Sequence, residues 1–128
     1  MNEVKFNSQI CTSVEQSKRL LELGFKPETA DMEIEIFKGD NSISGYVPKG
    51  YWETEISEEL VELIPAWSLH RLIEMCNKTQ SWMIISIFNN EVTVDGALFD
   101  VFDNTYDNLI SAIECLIEEG YFNKEYLK

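Results

Sequence analysis

The sequence predicts an α+β domain in which an antiparallel sheet, a three-stranded meander plus one or two further strands, packs on about three helices. Three observations predict it. Residues 81–102 read as strand-like runs, SWMIISIF, EVTV and ALFDVF, joined by the two-residue turns Asn89-Asn90 and Asp95-Gly96. Residues 32–37, MEIEIF, alternate apolar and acidic as a half-buried strand does. From Tyr106 onward, Leu109, Ile110, Ile113, Leu116 and Ile117 recur at helical spacing.

Asn, Asp and Gly tolerate the positive φ of a tight hairpin, and a two-residue loop fixes the register of the strands it joins. Phe88 then faces Glu91, Ile87 faces Val92, Ile85 faces Val94, Val94 faces Ala97, and Val92 faces Phe99. Because side chains alternate, one face collects Met83, Ile85, Ile87, Val92, Val94, Ala97, Phe99 and Val101, which makes it the core side. The other face, with Trp82, Ile84, Ser86, Phe88, Glu91, Thr93, Leu98, Asp100 and Phe102, is mixed. Glu91 and Asp100 should oppose each other there, as a seat for a cation or basic partner or as a frayed pair screened by water.

Upstream, Thr12-Ser13-Val14-Glu15 has the form of a capping box, opening a helix with Val14, Ser17, Leu20 and Leu21 on one side and Gly24 as its stop. In the 32–37 strand, Met32, Ile34 and Ile36 point inward and Glu33 and Glu35 outward. Residues 38–51, KGDNSISGYVPKGY, are rich in turn formers, with a short strand around 43–47. Ser57 caps a short acidic helix, EELVELI, which yields at Pro65 to a second helix, PAWSLHRLIEMC, with Leu69, Leu72, Ile73 and Cys76 on one face. The last helix, residues 106–119, takes its cap from residues 103–105, stops at Gly120 and lays its stripe on the meander's core face.

A chain of 128 residues with 45% hydrophobic content suits a single domain, residues 1–128. No stretch has the length of a membrane span and MNEVKFNSQI lacks a signal-peptide run, so a soluble, cytoplasmic protein without membrane contact is expected. Three cysteines, Cys11, Cys76 and Cys115, read as reduced thiols. His70 and Cys76 lie six residues apart, which does not bring two ligands to one helix face, and no zinc site is expected. Net charge is −13, with eight acidic residues and no Lys or Arg between residues 79 and 123. Such a field repels phosphate backbones, so direct nucleic-acid binding is not expected; the acidity either serves solubility alone or engages a basic protein.

No nucleophile-base arrangement, phosphate-cradling glycine loop or metal-binding helix motif occurs, and Asp100, Asp103 and Asp107 lack the pattern of a calcium loop. Neither catalysis nor a cofactor is expected. Two surfaces are candidate sites. In the second helix Trp67 falls about 160° from Leu69. There Trp67, His70 and Glu74 form a stripe in which Glu74 can hold His70, a contact surface unless Trp67 packs on the chain entering the helix. Tyr46, Tyr51 and Trp52, near Lys38 and Lys49, form either the aromatic lip of a small-molecule pocket or a lid on the core.

Three segments together, TSVEQSKRLLELGFKPETADM at residues 12–32, IPAWSLHRL at 64–72 and YDNLISAIECLIEEGYF at 106–122, resemble a family of short proteins of Bacteroidales genomes, prophages and mobile elements. That family has no known activity, so the resemblance implies a genomic setting and no catalytic residues. The leading expectation is a non-catalytic protein-interaction module of phage or mobile-element type acting through an acidic surface. The alternative is a small-molecule binder using the aromatic loop; a carboxylate hydrolase stands last.

Overall fold

The computed structural model describes residues 8–50, 60–77 and 84–128. In chain order the elements are α1 (Val14–Glu22), β1 (Met32–Phe37), β2 (Ile43–Pro48), β3 (Val61–Ala66), α2 (Leu69–Asn77), β4 (Ile85–Phe88), β5 (Glu91–Val94), β6 (Ala97–Phe99) and α3 (Thr105–Glu118), with short 3-10 turns at Pro27–Thr29 and Lys124–Tyr126. The class is α+β. Among the described residues the strands divide into two three-stranded antiparallel sheets, β2-β1-β3 and β4-β5-β6, rather than one.

The meander forms with the predicted register from Phe88 opposite Glu91, through Val94 opposite Ala97, to Val92 opposite Phe99. Asn89 and Asp95 take φ of 55° and 49° in its two turns, as short polar side chains permit. Val92 and Val94 are buried against Leu109, Ile110, Ile113 and Leu116 of α3, with Ile85, Ile87 and Phe99 packed at the margin. The ladder ends at Phe99, so Asp100 never comes opposite Glu91 and Val101 is exposed instead of facing the core. Trp82 and Met83 lie outside the described residues.

Both helix stops are Schellman motifs. After α1, Phe25 N–H reaches the Leu20 carbonyl (3.1 Å) and Gly24 N–H the Leu21 carbonyl (3.0 Å), with Gly24 at φ 105°. After α3, Tyr121 N–H reaches Leu116 (2.9 Å) and Gly120 N–H reaches Ile117 (3.1 Å). The capping box of α1 sits one residue later than predicted. Ser13 is the cap and Gln16 its reciprocal partner. Thr12 is drawn away because its hydroxyl accepts the Trp67 N–H (3.0 Å) and bonds Ser17 (2.7 Å).

The first sheet holds the corrections. β1 has the predicted bounds but is the central strand, paired with β2 and β3. The predicted acidic helix EELVELI is not formed over Val61–Ala66, which is strand β3; Ser57 lies outside the described residues. Leu63 and Pro65 stand opposite Glu35 and Glu33. Pro65 is tolerated because β3 is an edge strand, where a missing N–H leaves no gap in the interior of the sheet. With residue 65 extended, α2 starts later than predicted: Ser68 accepts the Arg71 N–H and caps it. Glu35, predicted solvated, is buried, at 9% exposure.

One core joins α1, α2, α3 and β5 around Leu20, Phe25, Trp67, Leu72, Val92, Leu109, Ile110 and Ile113. A second, smaller one joins Cys11 with Ile34, Ile36, Ile64 and Ala66 of the first sheet. The C-terminal stretch closes the main core: Phe122 stacks on Phe25 with ring centroids 5.4 Å apart, and Lys26 N–H bonds the Tyr126 carbonyl (2.9 Å).

Candidate interaction surface

Trp67 is not at the surface. Its exposure is 0%, its ring meets Phe25 edge-on at 5.6 Å, and its indole N–H donates to the Thr29 hydroxyl (3.0 Å). Beside it Asp31 accepts from the backbone N–H (2.8 Å) and hydroxyl of Ser68, and the Tyr106 hydroxyl accepts the Leu69 N–H (3.2 Å). His70 and Glu74 are exposed on α2, with Glu74 beside Arg71 (3.4 Å), so the predicted stripe loses its aromatic member and its His-Glu pairing. The helical projection placed Trp67 opposite Leu69 only by extending the helix to residue 65; in the extended chain before Ser68 the ring turns inward.

Of the predicted ligand loop, Tyr46 stands on β2 opposite Ile34, partly exposed; Tyr51 and Trp52 lie outside the described residues. Among the described residues no group of three His, Cys, Asp or Glu can hold a metal ion. All three cysteines are free. Burial, with a smaller contribution from the Asp31 charge, pushes the Cys11 thiol up to about 11, and burial pushes Cys76 up to about 12. Neither is a nucleophile near neutral pH. Cys115 on α3 is only partly buried.

The surface that stands out is the outer face of the β4-β5-β6 sheet. Residues paired across an antiparallel ladder share a face, so Ile84, Ser86, Phe88, Glu91, Thr93 and Leu98 lie together, away from α3. Phe88 is 73% exposed, Ile84 70% and Leu98 54%. Phe102, just beyond β6, is exposed too. An open antiparallel face ordinarily carries polar residues. Here large apolar side chains stand in water instead, with Glu91 paired to Phe88 and with Asp95 and Asp100 exposed at the adjoining turn and strand end. The face is held rigid from behind. Asn108 of α3, almost fully buried, donates to the carbonyls of Asn90 and Phe102 (2.8 Å to the latter) and accepts the Phe102 N–H (3.0 Å), fixing one turn and the exit of the meander.

The alternation of residues 84–98 gave this face from sequence as a mixed one. Three large apolar residues on its non-core side, Ile84, Phe88 and Leu98, were the signal that sets it apart from an ordinary solvated face.

A second feature needed tertiary structure to be seen. Where the Asp95-Gly96 turn meets the C-terminal half of α3, a half-open cleft of about 210 Å³ is lined by Val94, Phe99, Ala112 and Leu116, with Cys115, Tyr121 and the acidic residues Asp95 and Glu119 also in its wall.

No helix among the described residues is long and apolar enough to cross a membrane. The chain matches no protein-family model, no curated protein and no solved structure.

Proposed function

We propose that the protein is a non-catalytic interaction module that binds a basic protein through the outer face of the β4-β5-β6 sheet. One observation carries the reading: Ile84, Phe88 and Leu98 share that face and are each more than half exposed, beside Glu91 and Asp95. Apolar patches rimmed by polar groups mark surfaces that another molecule covers, and each such side chain covered is worth about 1.5–3 kcal/mol. The charge selects the occupant. Residues 79–123 carry eight carboxylates and no Lys or Arg, so a second copy of this chain, a nucleic acid or an anionic membrane is repelled, and a cationic rim on the partner is attracted.

The acidic surface foreseen in the sequence is retained in this reading and Trp67 is not part of it. The phage or mobile-element setting rests on the resemblance of residues 12–32, 64–72 and 106–122 alone.

The test is site-specific photo-crosslinking in cells that carry the chain, with the photoreactive residue at 88, at 98, and at the exposed Lys18 of α1 as control. Adducts to one basic protein from 88 and 98 but not from 18, weakened at high salt, are expected. No adduct, an adduct of the chain with itself, or an acidic partner would overturn the reading.

A further inference from the structure

The cleft at the Asp95-Gly96 turn lies on the core side of the meander and shares only Asp95 with the rim of the outer face. Its floor, Val94, Phe99, Ala112 and Leu116, is apolar, and its charged groups are Asp95 and Glu119. Among the described residues the ion pairs are Arg19 with Glu114 and Arg71 with Glu74, neither of which uses Asp95 or Glu119. No Lys or Arg occurs between residues 79 and 123, so the lining supplies no cation of its own. Its volume, about 210 Å³, is below the roughly 300–1,000 Å³ of sites for drug-sized ligands, which fits a single chain.

We propose that this cleft binds an alkylammonium group, its apolar stem against Val94, Phe99 and Leu116 and its ammonium at the carboxylates of Asp95 and Glu119. The stem loses contact with water along the floor, and the charge remains partly solvated at the half-open mouth, as amphipathic cations prefer. An anionic or zwitterionic chain of the same length is rejected by the same carboxylates. The chemistry is shared by a free amine and by a lysine side chain of another polypeptide.

Cys115 gives a readout independent of any activity. It lines the cleft, whereas Cys11 and Cys76 are buried with their thiols held protonated, so a neutral alkylating reagent, iodoacetamide, reports on Cys115 in the folded full-length chain. Hexylammonium is expected to slow alkylation of Cys115 in a saturable way, while hexanol and hexanoate at the same concentration do not. Asp95→Asn and Glu119→Gln, which change neither the apolar floor nor the size of the side chain, are each expected to raise the concentration giving half-protection about threefold. Protection at lower concentration by an acetyl-capped, single-lysine peptide assigns the natural ligand to a polypeptide; tighter protection by hexylammonium assigns it to a free amine. Absence of saturable protection, equal protection by hexanol, or full protection in the Asp95→Asn/Glu119→Gln double variant would overturn the proposal.

Discussion

Trp67 shows how much one side chain decides. It is fully buried, meets Phe25 edge-on, donates to Thr29, and exchanges backbone contacts with Thr12, whose N–H reaches the Trp67 carbonyl at 2.9 Å. Trp67→Ala is therefore expected to cost about 4 kcal/mol, the scale of a large-to-small core change and a sizeable part of a small domain's stability. Trp67→Phe keeps most of the ring and loses the indole donor; since the Thr29 hydroxyl still donates to the Lys26 carbonyl (2.7 Å), about 1–2 kcal/mol is expected. Chemical denaturation of both variants checks this, and a Trp67→Ala protein as stable as the parent would contradict it. Around Trp67, residues distant in sequence come together: Thr12, Ser17, Thr29 and Asp31 from residues 12–32, Ser68 beside it, and Tyr106 at the start of α3. They meet in one hydrogen-bonded knot that joins the first sheet to the helices.

Among the elements, those that read correctly from sequence were those whose signals are local. Two-residue turns and period-two alternation fixed the register of the meander as far as Phe99, and glycines at φ 105° and 78° closed α1 and α3. Gly120 has open space where a Cβ would stand, so Gly120→Ala is expected to cost about 1 kcal/mol through the left-handed backbone alone, with Gly120→Asn costing less; thermal unfolding of the pair separates conformation from packing, and equal costs would contradict the assignment. β3 was misread because its signals are not local. VELIPA carries acidic and aliphatic residues that suit a helix start, and only pairing along the whole length of β1 makes it a strand. The same pairing places β1 at the centre of its own sheet, with Glu35 buried in it, where alternation alone left that carboxylate in water. The candidate surfaces divide likewise. The outer face of the meander followed from register, whereas the cleft required residue 95 to meet residue 119.

At the scale of the whole molecule, the two cores each hold a thiol that resists ionisation, Cys76 in the larger and Cys11 in the smaller. Both folded-state values lie above the ordinary 9.0, so the folded protein holds protons that the unfolded chain releases. Stability from this source is complete below about pH 9 and falls as pH rises from there toward 11, by about 1 kcal/mol per thiol per pH unit. Denaturation midpoints across this window are expected to fall, and Cys76→Ala to flatten the decline relative to its own value at pH 8; parallel curves would contradict it.

The molecule is otherwise asymmetric. Its helices and one sheet face are spent on the core, and the opposite face of the meander presents Ile84, Phe88 and Leu98 to solvent. The most direct test of the claim that this face is left for a partner is thermal unfolding of the Phe88→Ser/Leu98→Ser double variant. If nothing in the chain covers these residues, exposed substitutions change stability by about 0.5 kcal/mol or less each, and the midpoint is expected to stay within about 3 °C of the parent. A fall of about 10 °C or more would show that the chain itself buries them, and the account of an open interaction face would be wrong.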